Sequence, residues 1–224
     1  MHLSITLENL PQKASRIIRP PSSTRPIIWL VEEKGKRLIV KDFSRNSFFY
    51  RNLFGRFLIW REAKAYRRLA GIQGVPRYYG VLEGIAIVTE FVEGKTVKQA
   101  EEEGGLGQPF FQKLKELLDA FHKRGIAHCD LKRTPNVLVS PDGNPFILDW
   151  AASVSASECR IYPLTKIYER LVRDDEMALI KMRLRHVPET VSAREKAMYN
   201  NRSTAEKLIR SVRDRLRRLL QRIA

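Results

Sequence analysis

The feature that most constrains the fold is a hairpin pattern at residues 136–149, where two short apolar runs, NVLV and PFIL, flank the turn sequence SPDGN. Asn136 opens this pattern, Asp149 closes it, and His128 and Asp130 come shortly before it. Each of these residues has an ordinary structural explanation when taken singly, but a carboxylate that ends a buried strand is expensive unless it is paired. Such a hairpin can aim Asn136 and Asp149 at one ion, so a metal and proton-transfer site stands beside a plain turn as an interpretation of this pattern.

Strand patterns dominate the first part of the chain. Residues 27–31 and 37–43 are rich in β-branched side chains and are separated by the turn sequence EEKGK. Two further strands are predicted within residues 75–94, on either side of the turn sequence LEG. The proline-rich sequence RPPSSTRP, at residues 19–26, precedes the first predicted strand and interrupts regular structure. These patterns predict a β-rich first part.

Helical patterns dominate the second part, although one helix interrupts the strands at residues 51–71. Residues 109–123 carry an apolar stripe, and the chain from residue 163 onward is also predicted to be helical. Residues 95–108 are predicted to form a loop. The last segment, residues 205–224, predicts an amphipathic helix with arginines on its polar face. The fold class expected is therefore α+β.

Composition limits the compartment and the partners. The 224 residues carry a formal net charge of +16, which favours polyanionic partners such as anionic lipid, phosphorylated small molecules or nucleic acid. The N-terminal sequence lacks the apolar stretch of a signal peptide, and two isolated cysteines, Cys129 and Cys159, indicate a reducing compartment. We expect a cytoplasmic protein, with the cytosolic face of the inner membrane as the alternative location.

The polar residues occur in an order that resembles protein kinases. HCDLKRTPN is similar to the catalytic loop H-R-D-L-K-x-x-N, and ILDWAAS is similar to the metal-binding D-F-G segment. LIVKDF resembles the strand that carries the phosphate-binding lysine, REAKAYRRL the helix whose glutamate pairs with it, and IVTEFVEG the hinge that binds adenine. The closest resemblance is to the small bacterial RIO-like kinases, including the kinases of lipopolysaccharide-core sugars (Kdo or heptose). It implies ATP, Mg²⁺ and a bilobal fold, with a β-rich N-lobe at residues 1–92 and a truncated helical C-lobe at residues 93–224.

The resemblance also implies roles for individual residues. Asp130 would orient the acceptor hydroxyl and accept its proton, Asn136 and Asp149 would hold Mg²⁺, and Lys132 would contact the γ-phosphate. His128 would support the loop rather than react. The nucleotide-binding residues implied are Lys41 for the α- and β-phosphates, Glu62 to hold Lys41, and Thr89, Glu90 and Val92 around adenine.

The sequence departs from the kinase pattern before and within the catalytic loop. No G-x-G-x-x-G precedes Lys41, so RPPSSTRP, with Ser22, Ser23 and Thr24, is the candidate to cover the phosphates, although a plain loop is the commoner explanation. The interval from Asp130 to Asn136 is one position longer than the family pattern. Either Lys132 or Arg133 is therefore expected to face the γ-phosphate.

Further departures bear on regulation and on the substrate. Cys129 replaces the arginine of H-R-D that reads a phosphate on the activation loop, which argues against that form of switching. Trp150 and Ala151 replace Phe and Gly, and no A-P-E motif follows. The peptide-docking part of a protein kinase is therefore expected to be missing, which favours a sugar or lipid-linked acceptor.

Three functions remain open from the sequence. The first is an ATP-dependent kinase for a hydroxyl of a lipopolysaccharide-core sugar or related anionic glycolipid. The second is a RIO-like serine/threonine protein kinase or ATPase with a protein acceptor, for which the charge would serve nucleic acid, a less favoured partner. The third is a non-catalytic pseudokinase module. Two segments keep a peripheral membrane contact open: the basic C-terminal helix and the aromatic run FFYRNLFGRFLIW, for which core packing is the favoured explanation.

Overall fold

The structure, a computed structural model, describes residues 4–200. Helices hold 45% and strands 22% of it, which confirms the predicted α+β class. The strands are β1 (Ala14–Arg19), β2 (Ile27–Glu33), β3 (Lys36–Asp42), β4 (Tyr78–Leu82), β5 (Ala86–Glu90), β6 (Lys95–Thr96), β7 (Ile126–Ala127), β8 (Val137–Val139), β9 (Pro145–Ile147) and β10 (Val154–Ser155). The α-helices are α1 (Leu10–Lys13), α2 (Phe48–Tyr50), α3 (Arg56–Arg68), α4 (Val97–Glu102), α5 (Gln108–Lys123), α6 (Leu164–His186) and α7 (Ala193–Asn200).

The main sheet is antiparallel and has the strand order β1-β2-β3-β5-β4. The four strands predicted from alternation and β-branched residues, β2 to β5, are confirmed. β1 was not predicted, and it adds an edge strand that pairs with β2 from Ala14 to Arg19 with two irregular steps in register. The proline-rich sequence RPPSSTRP is the connection from β1 to β2.

The described residues fall into two compact units. The first contains residues 4–59, 79–89 and 197–200, and the second contains residues 60–78 and 90–196. Most of α3 thus groups with the second unit, whereas the sequence pattern grouped it with the first part of the chain. The core of the first unit is formed by apolar side chains from the N-terminal segment and β2, β3 and β5: Ile5, Leu10, Ile27, Trp29, Val31, Leu38, Val40, Ala86 and Val88.

The second unit is built around α5, which buries apolar side chains from Phe110 to Phe121, and α6, which buries them from Met177 to Met182. The predicted hairpin is confirmed as β8 and β9, with β6 paired to β8 as a third strand. The prediction of a loop at residues 95–108 was wrong for its first half. Thr96 and Gln99 form a reciprocal capping box that starts α4, and Val97 and Ala100 bury its apolar side.

A continuous helical run covers residues 48–68, where α2, a π-helical segment (Arg51–Gly55) and α3 follow each other without a break. The segment 51–71 was predicted as helical, and the structure confirms it to Arg68. Within residues 4–200, no helix is both long and apolar enough to cross a bilayer. The amphipathic helix predicted at residues 205–224 lies outside the described residues.

Candidate active site

His128 joins the two ends of the candidate site. Its ring is fully buried, and the Asp130 N–H donates to its Nδ1 at 3.2 Å. A ring nitrogen that accepts an N–H bond carries no proton, so the Nε2 proton is the one donated to the Leu148 carbonyl at 2.9 Å. With both nitrogens engaged, His128 fixes the residue before Asp149 to the backbone of Asp130. Its geometry fits the supporting role that the sequence predicted.

Asn136 forms the second link between these residues. Its Nδ2 donates to the Asp130 carbonyl at 3.0 Å and lies 3.4 Å from the Asp130 carboxylate oxygen Oδ2. The Asn136 carbonyl accepts the Leu148 N–H at 2.8 Å, which holds the start of β8 against the end of β9. Since the amide nitrogen faces Asp130, the side-chain oxygen of Asn136 is the atom that can serve a cation.

Asp149 stands in a left-handed backbone conformation, with φ 62° and ψ 67°. Such conformations are uncommon outside glycine, are tolerated best by Asn and Asp, and concentrate at functional sites. The next residue, Trp150, is fully buried and packs edge-on against His128 and Phe121. The buried indole therefore anchors the backbone immediately after Asp149, so that the left-handed turn is held from both sides.

Carboxylates concentrate around this turn. Burial raises the pKa of the Asp130 carboxyl above its usual range, and the charge of Asp149 raises it further, while the charge of Arg133 and the hydrogen bond from Asn136 act in the opposite direction. Burial also raises the pKa of Tyr66 well above its usual value, with contributions from Glu62 and Asp149. Glu62 on α3 is itself buried, with 2% of its surface exposed. The structure thus brings Glu62, Asp130, Asn136 and Asp149 into one region of the second unit.

Lys132 and Arg133, the two candidates for the γ-phosphate contact, lie beside different carboxylates in the structure. Arg133 Nε lies 3.2 Å from Asp130 Oδ2, directly beside the predicted base. Lys132 Nζ lies 3.5 Å from Asp174 Oδ1 on α6. Of the two alternatives that the inserted residue left open, Arg133 is the one whose charge reaches the Asp130 carboxylate.

Asp175 is a site residue that sequence reasoning missed. It lies on α6 with 1% of its surface exposed, and its carboxylate accepts the backbone N–H groups of His128 at 2.7 Å and Cys129 at 2.9 Å. These two bonds hold the loop where Cys129 takes a positive φ of 68°. The available signal was an aspartate on the apolar stripe of α6, at helical spacing with Ala178, Leu179 and Met182.

A basic face of α3 holds the chain that follows Asp149. Lys64 forms an ion pair with Glu158 at 2.7 Å, and Arg61 donates to the Ser153 carbonyl. Arg68 donates to the hydroxyls of Ser155 and Ser157. Because Glu62 lies on the same helix, these contacts fix its position relative to the segment after Asp149.

The β1–β2 loop in the first unit is tightly fixed. Ser22 and Arg25 exchange two backbone hydrogen bonds, and Asn46 Nδ2 donates to the carbonyls of Ser22, Ser23 and Arg25 at 2.7, 3.2 and 3.2 Å. The hydroxyl of Tyr50 donates to the Thr24 carbonyl at 2.9 Å. This loop is the candidate phosphate cover, and the amide of Asn46 binds three of its carbonyls.

The remaining predicted residues lie on or beside β3 and β5. Lys41 is on β3, opposite Ile28 of β2, and Thr89 is buried on β5. Glu90 ends β5, and its N–H is already engaged with the Arg77 carbonyl at 2.8 Å. Val92 follows in the irregular stretch before β6. Their roles toward a nucleotide stay predictions.

The role of Asn136 and Asp149 as Mg²⁺ ligands stays a prediction. Among residues 4–200, no group of three or more His, Cys, Asp or Glu side chains is placed to hold a metal ion. Mg²⁺ needs only one or two oxygen ligands from the protein and completes its shell with water and substrate phosphates. Asn136 and Asp149 would supply those ligands. In comparisons with known proteins, neither a family model nor a curated protein matches this chain.

Proposed function

We propose that the protein is a kinase: an ATP- and Mg²⁺-dependent phosphotransferase that phosphorylates a hydroxyl group. The observation that carries this proposal is the constellation of Asp130, Asn136 and Asp149, tied together by the ring of His128 and the backbone bond from Leu148 to Asn136. A bilobal kinase-like fold with a truncated helical C-lobe is part of the proposal. It is supported by the position of Lys41 on the third strand of an antiparallel sheet, with Glu62 on the helix that follows.

In the proposed reaction, the acceptor hydroxyl donates a hydrogen bond to the Asp130 carboxylate. The acceptor oxygen attacks the γ-phosphorus, the bond from that phosphorus to the β–γ bridging oxygen breaks, and ADP leaves. The hydroxyl proton passes to Asp130, and burial of this carboxyl, which raises its pKa, makes it a better proton acceptor than an exposed aspartate. Mg²⁺, when bound, would neutralise phosphate charge, and Asn136 and Asp149 would hold it.

The basic residues have separate tasks in this scheme. Arg133 lies beside Asp130 and would stabilise the charge on the transferring phosphoryl group. Lys41 would bind the α- and β-phosphates, as the resemblance implies. Thr89, Glu90 and Val92 would surround adenine, and for Glu90 the contact falls to the main-chain carbonyl because its N–H is engaged.

The acceptor we propose is a lipopolysaccharide-core sugar or a related anionic glycolipid, with the cytoplasm as the location. The formal charge of +16 favours an anionic acceptor. The chain after Asp149 also reaches α6 by Leu164, so residues 150–163 leave little room for a segment that docks peptides. A protein acceptor and a non-catalytic scaffold are the two outcomes that would replace this proposal.

The test is phosphate transfer from γ-labelled ATP with Mg²⁺, with a glycolipid extract and a generic protein offered in parallel. Wild type is compared with Asp130→Ala and with the matched control Asp174→Ala, which removes a nearby carboxylate that contacts Lys132 instead. We expect label on the glycolipid, a loss of roughly 10²–10⁴-fold in Asp130→Ala with ATP affinity retained, and a small effect in the control.

Other outcomes have defined meanings. Label only on protein would point to the RIO-like alternative, and nucleotide binding without any Asp130-dependent label would point to a scaffold. Asp149→Ala is expected to remove Mg²⁺-dependent ATP binding, and Lys41→Met is expected to lose most activity with the fold intact. Unchanged turnover in either variant would remove that residue from the site.

A further inference from the structure

Five large apolar side chains of the helical run at residues 48–68 are exposed, and four of them belong to the first unit, whereas Trp60 belongs to the second. Phe48 is 65% exposed, Phe49 84%, Leu53 67% and Phe57 51%. Phe49, Leu53 and Phe57 recur at intervals of four and therefore share one face, and Phe48 packs edge-on against Phe49 with ring centres 5.8 Å apart. We call these four side chains the aromatic ridge. Apolar side chains exposed to water do not stabilise the fold, and contiguous exposed apolar patches mark sites of interaction.

The ridge rests on a rigid base within the first unit. Tyr50 packs against Phe43 and Phe54 on the opposite side of the run, with ring centres 6.2 and 5.4 Å away. Gly55 is buried against Phe43, where an added Cβ would come within 3.0 Å of the Phe43 side chain. Arg51 donates to the Ser44 carbonyl at 3.1 Å. Because the inward side chains are fixed, the ridge is held outward and cannot turn into the core.

Only positive charge accompanies the ridge along the chain. Residues 43–59 contain three arginines and no acidic residue. Arg45 is exposed, and the guanidinium of Arg51 lies 5.5 Å from the ring centre of Phe48. Arg56 is exposed as well and donates to the Glu83 carbonyl at 2.8 Å. Phe and Leu on one face with arginine beside them is the composition of a segment that lies in a membrane interface.

We infer that the aromatic ridge docks the protein on an anionic lipid bilayer. Phe49 and Leu53 enter the boundary between headgroups and acyl chains, Phe48 and Phe57 flank them, and Arg45 meets lipid phosphate. Docking needs no nucleotide and no phosphoryl transfer, so it stands apart from the proposed enzymatic activity. It would bring a protein with a formal charge of +16 to a surface of opposite sign.

The side chains favour a bilayer over a nucleic acid as the occupant. Single-stranded nucleic acid binds by stacking its bases on aromatic rings along a basic groove. The ridge lies on a helix surface, and Leu53, one of its most exposed members, has no ring on which a base can stack. A bilayer accepts aliphatic and aromatic side chains equally and takes arginine at the level of its phosphates.

The experiment measures partition of the full chain onto sedimented vesicles. One set contains phosphatidylcholine with phosphatidylglycerol, and the other contains phosphatidylcholine alone. Wild type is compared with Phe49→Ser/Leu53→Ser and with the matched control Ile161→Ser/Tyr162→Ser, which removes two apolar side chains of similar exposure, 73% and 78%, outside the ridge. Thermal melting checks that each variant folds, and all four side chains are exposed enough to be replaced without loss of the core.

We expect wild type to partition onto the anionic vesicles and the control to match it. Phe49→Ser/Leu53→Ser is expected to lower the partition coefficient by roughly tenfold or more, because two inserted apolar groups are lost. Arg45→Glu is expected to lower partition onto anionic vesicles by roughly tenfold and to leave partition onto neutral vesicles unchanged. Partition that is equal in wild type and Phe49→Ser/Leu53→Ser, or no partition of wild type, would overturn the inference.

A second measurement reports depth. Phe49→Trp and Ile161→Trp each place a fluorophore, one on the ridge and one at the control position, and brominated phosphatidylcholine mixed with phosphatidylglycerol quenches an indole that enters the acyl region. Quenching beyond the wild-type background in Phe49→Trp alone supports insertion of the ridge. Equal quenching in both variants would mean that another part of the surface faces the bilayer, and it would overturn the assignment. Failure of the transfer assay leaves both measurements unaffected, so the two proposals can fail separately.

Discussion

The polar loop at residues 128–136 and the aromatic segment at residues 43–57 invert the usual relation between side-chain polarity and burial. His128 is fully buried in the first, whereas Phe49 is 84% exposed in the second. The buried polar groups of the loop have partners: the His128 ring bonds to Asp130 and Leu148, and the backbone N–H groups of His128 and Cys129 donate to Asp175 on α6. A buried polar group is tolerated only with such partners.

The two segments differ in what their side chains stabilise. In the loop, the hydrogen bonds offset the removal of polar groups from water, and what results is a fixed geometry for Asp130 and Asn136. In the aromatic segment, Phe43 and Tyr50 supply packing, while the ridge leaves apolar area in water that only a partner can cover. The loop should therefore be sensitive to substitution in the isolated protein, and the ridge should be sensitive only in the presence of its partner.

The largest effect on stability is expected from Asp175→Ala. It leaves the buried N–H groups of His128 and Cys129 without acceptors, and each unsatisfied group costs about 1–3 kcal/mol, so the free energy of unfolding should fall by about 3–5 kcal/mol. Denaturant unfolding followed by circular dichroism measures it. Asp174→Ala, one position earlier and partly exposed, serves as control and should lose less than about 1 kcal/mol. A loss in Asp175→Ala no larger than in the control would show that the loop does not depend on this carboxylate.

Asn46→Ala should have the next largest effect on stability, because it removes the hydrogen bonds of a buried amide. Asn46 is a buried polar group within the aromatic segment itself. Its amide serves the carbonyls of Ser22, Ser23 and Arg25, and we expect a loss of about 2 kcal/mol in the free energy of unfolding. If the β1–β2 loop covers the ATP phosphates, the KM for ATP should rise as well. Asn52→Ala, whose amide donates only to the Phe48 carbonyl of its own helical run, is the control. Equal stability of the two variants would contradict the role given to Asn46.

Short-range patterns in the sequence predicted many of the strands and the order of the candidate site residues. Strand alternation located β2 to β5, and the turn sequence SPDGN located the hairpin β8–β9. Such signals are local, because turn residues and side-chain periodicity act within a few positions. The order of Asp130, Asn136 and Asp149 was equally readable, and the structure links Asn136 to Asp130 directly and to Leu148, the residue before Asp149, through the backbone.

The features that the sequence did not predict depend on contacts between residues far apart in the chain. Asp175 lies more than forty positions after the backbone groups it binds, so its role appears only once α6 packs against the loop. α4 begins with a capping box whose Thr96 and Gln99 are common loop residues. The aromatic run at residues 48–60 was interpreted as core, which holds for Ile59 and fails for Phe49, because hydropathy does not say which side of a helix has room to pack.

Glu158→Gln should have a smaller and pH-dependent effect. Burial alone would raise the pKa of Glu158, but the hydrogen bonds from Lys64 and the Ser155 backbone, with the charge of Arg61, hold that pKa below the ordinary 4.5. A carboxyl whose pKa is lower in the folded state contributes stability above its unfolded pKa and loses it as the pH falls through the folded value. Wild type should therefore exceed Glu158→Gln by about 1 kcal/mol or less at neutral pH.

The pH series decides this prediction. The difference between wild type and Glu158→Gln should shrink as the pH falls below 4.5, because the carboxyl becomes neutral in both states. Glu116→Gln, an exposed position on α5, is the matched control for loss of one charge. A difference between wild type and Glu158→Gln that stays constant with pH would mean that the contact with Lys64 acts by packing and not by charge.

The smallest effect on stability is expected from Phe49→Ala, for which the neighbouring residue Tyr50 provides the control. Phe49 is 84% exposed, so the variant should change the free energy of unfolding by less than about 0.5 kcal/mol. Tyr50→Ala removes the contacts with Phe43 and Phe54 and the bond to Thr24, and it should cost about 2 kcal/mol or more. Denaturant unfolding in buffer measures both. A large loss in Phe49→Ala would place the ridge in the core and remove it as a membrane surface, whereas a small loss leaves its apolar side chains with no task in the isolated protein.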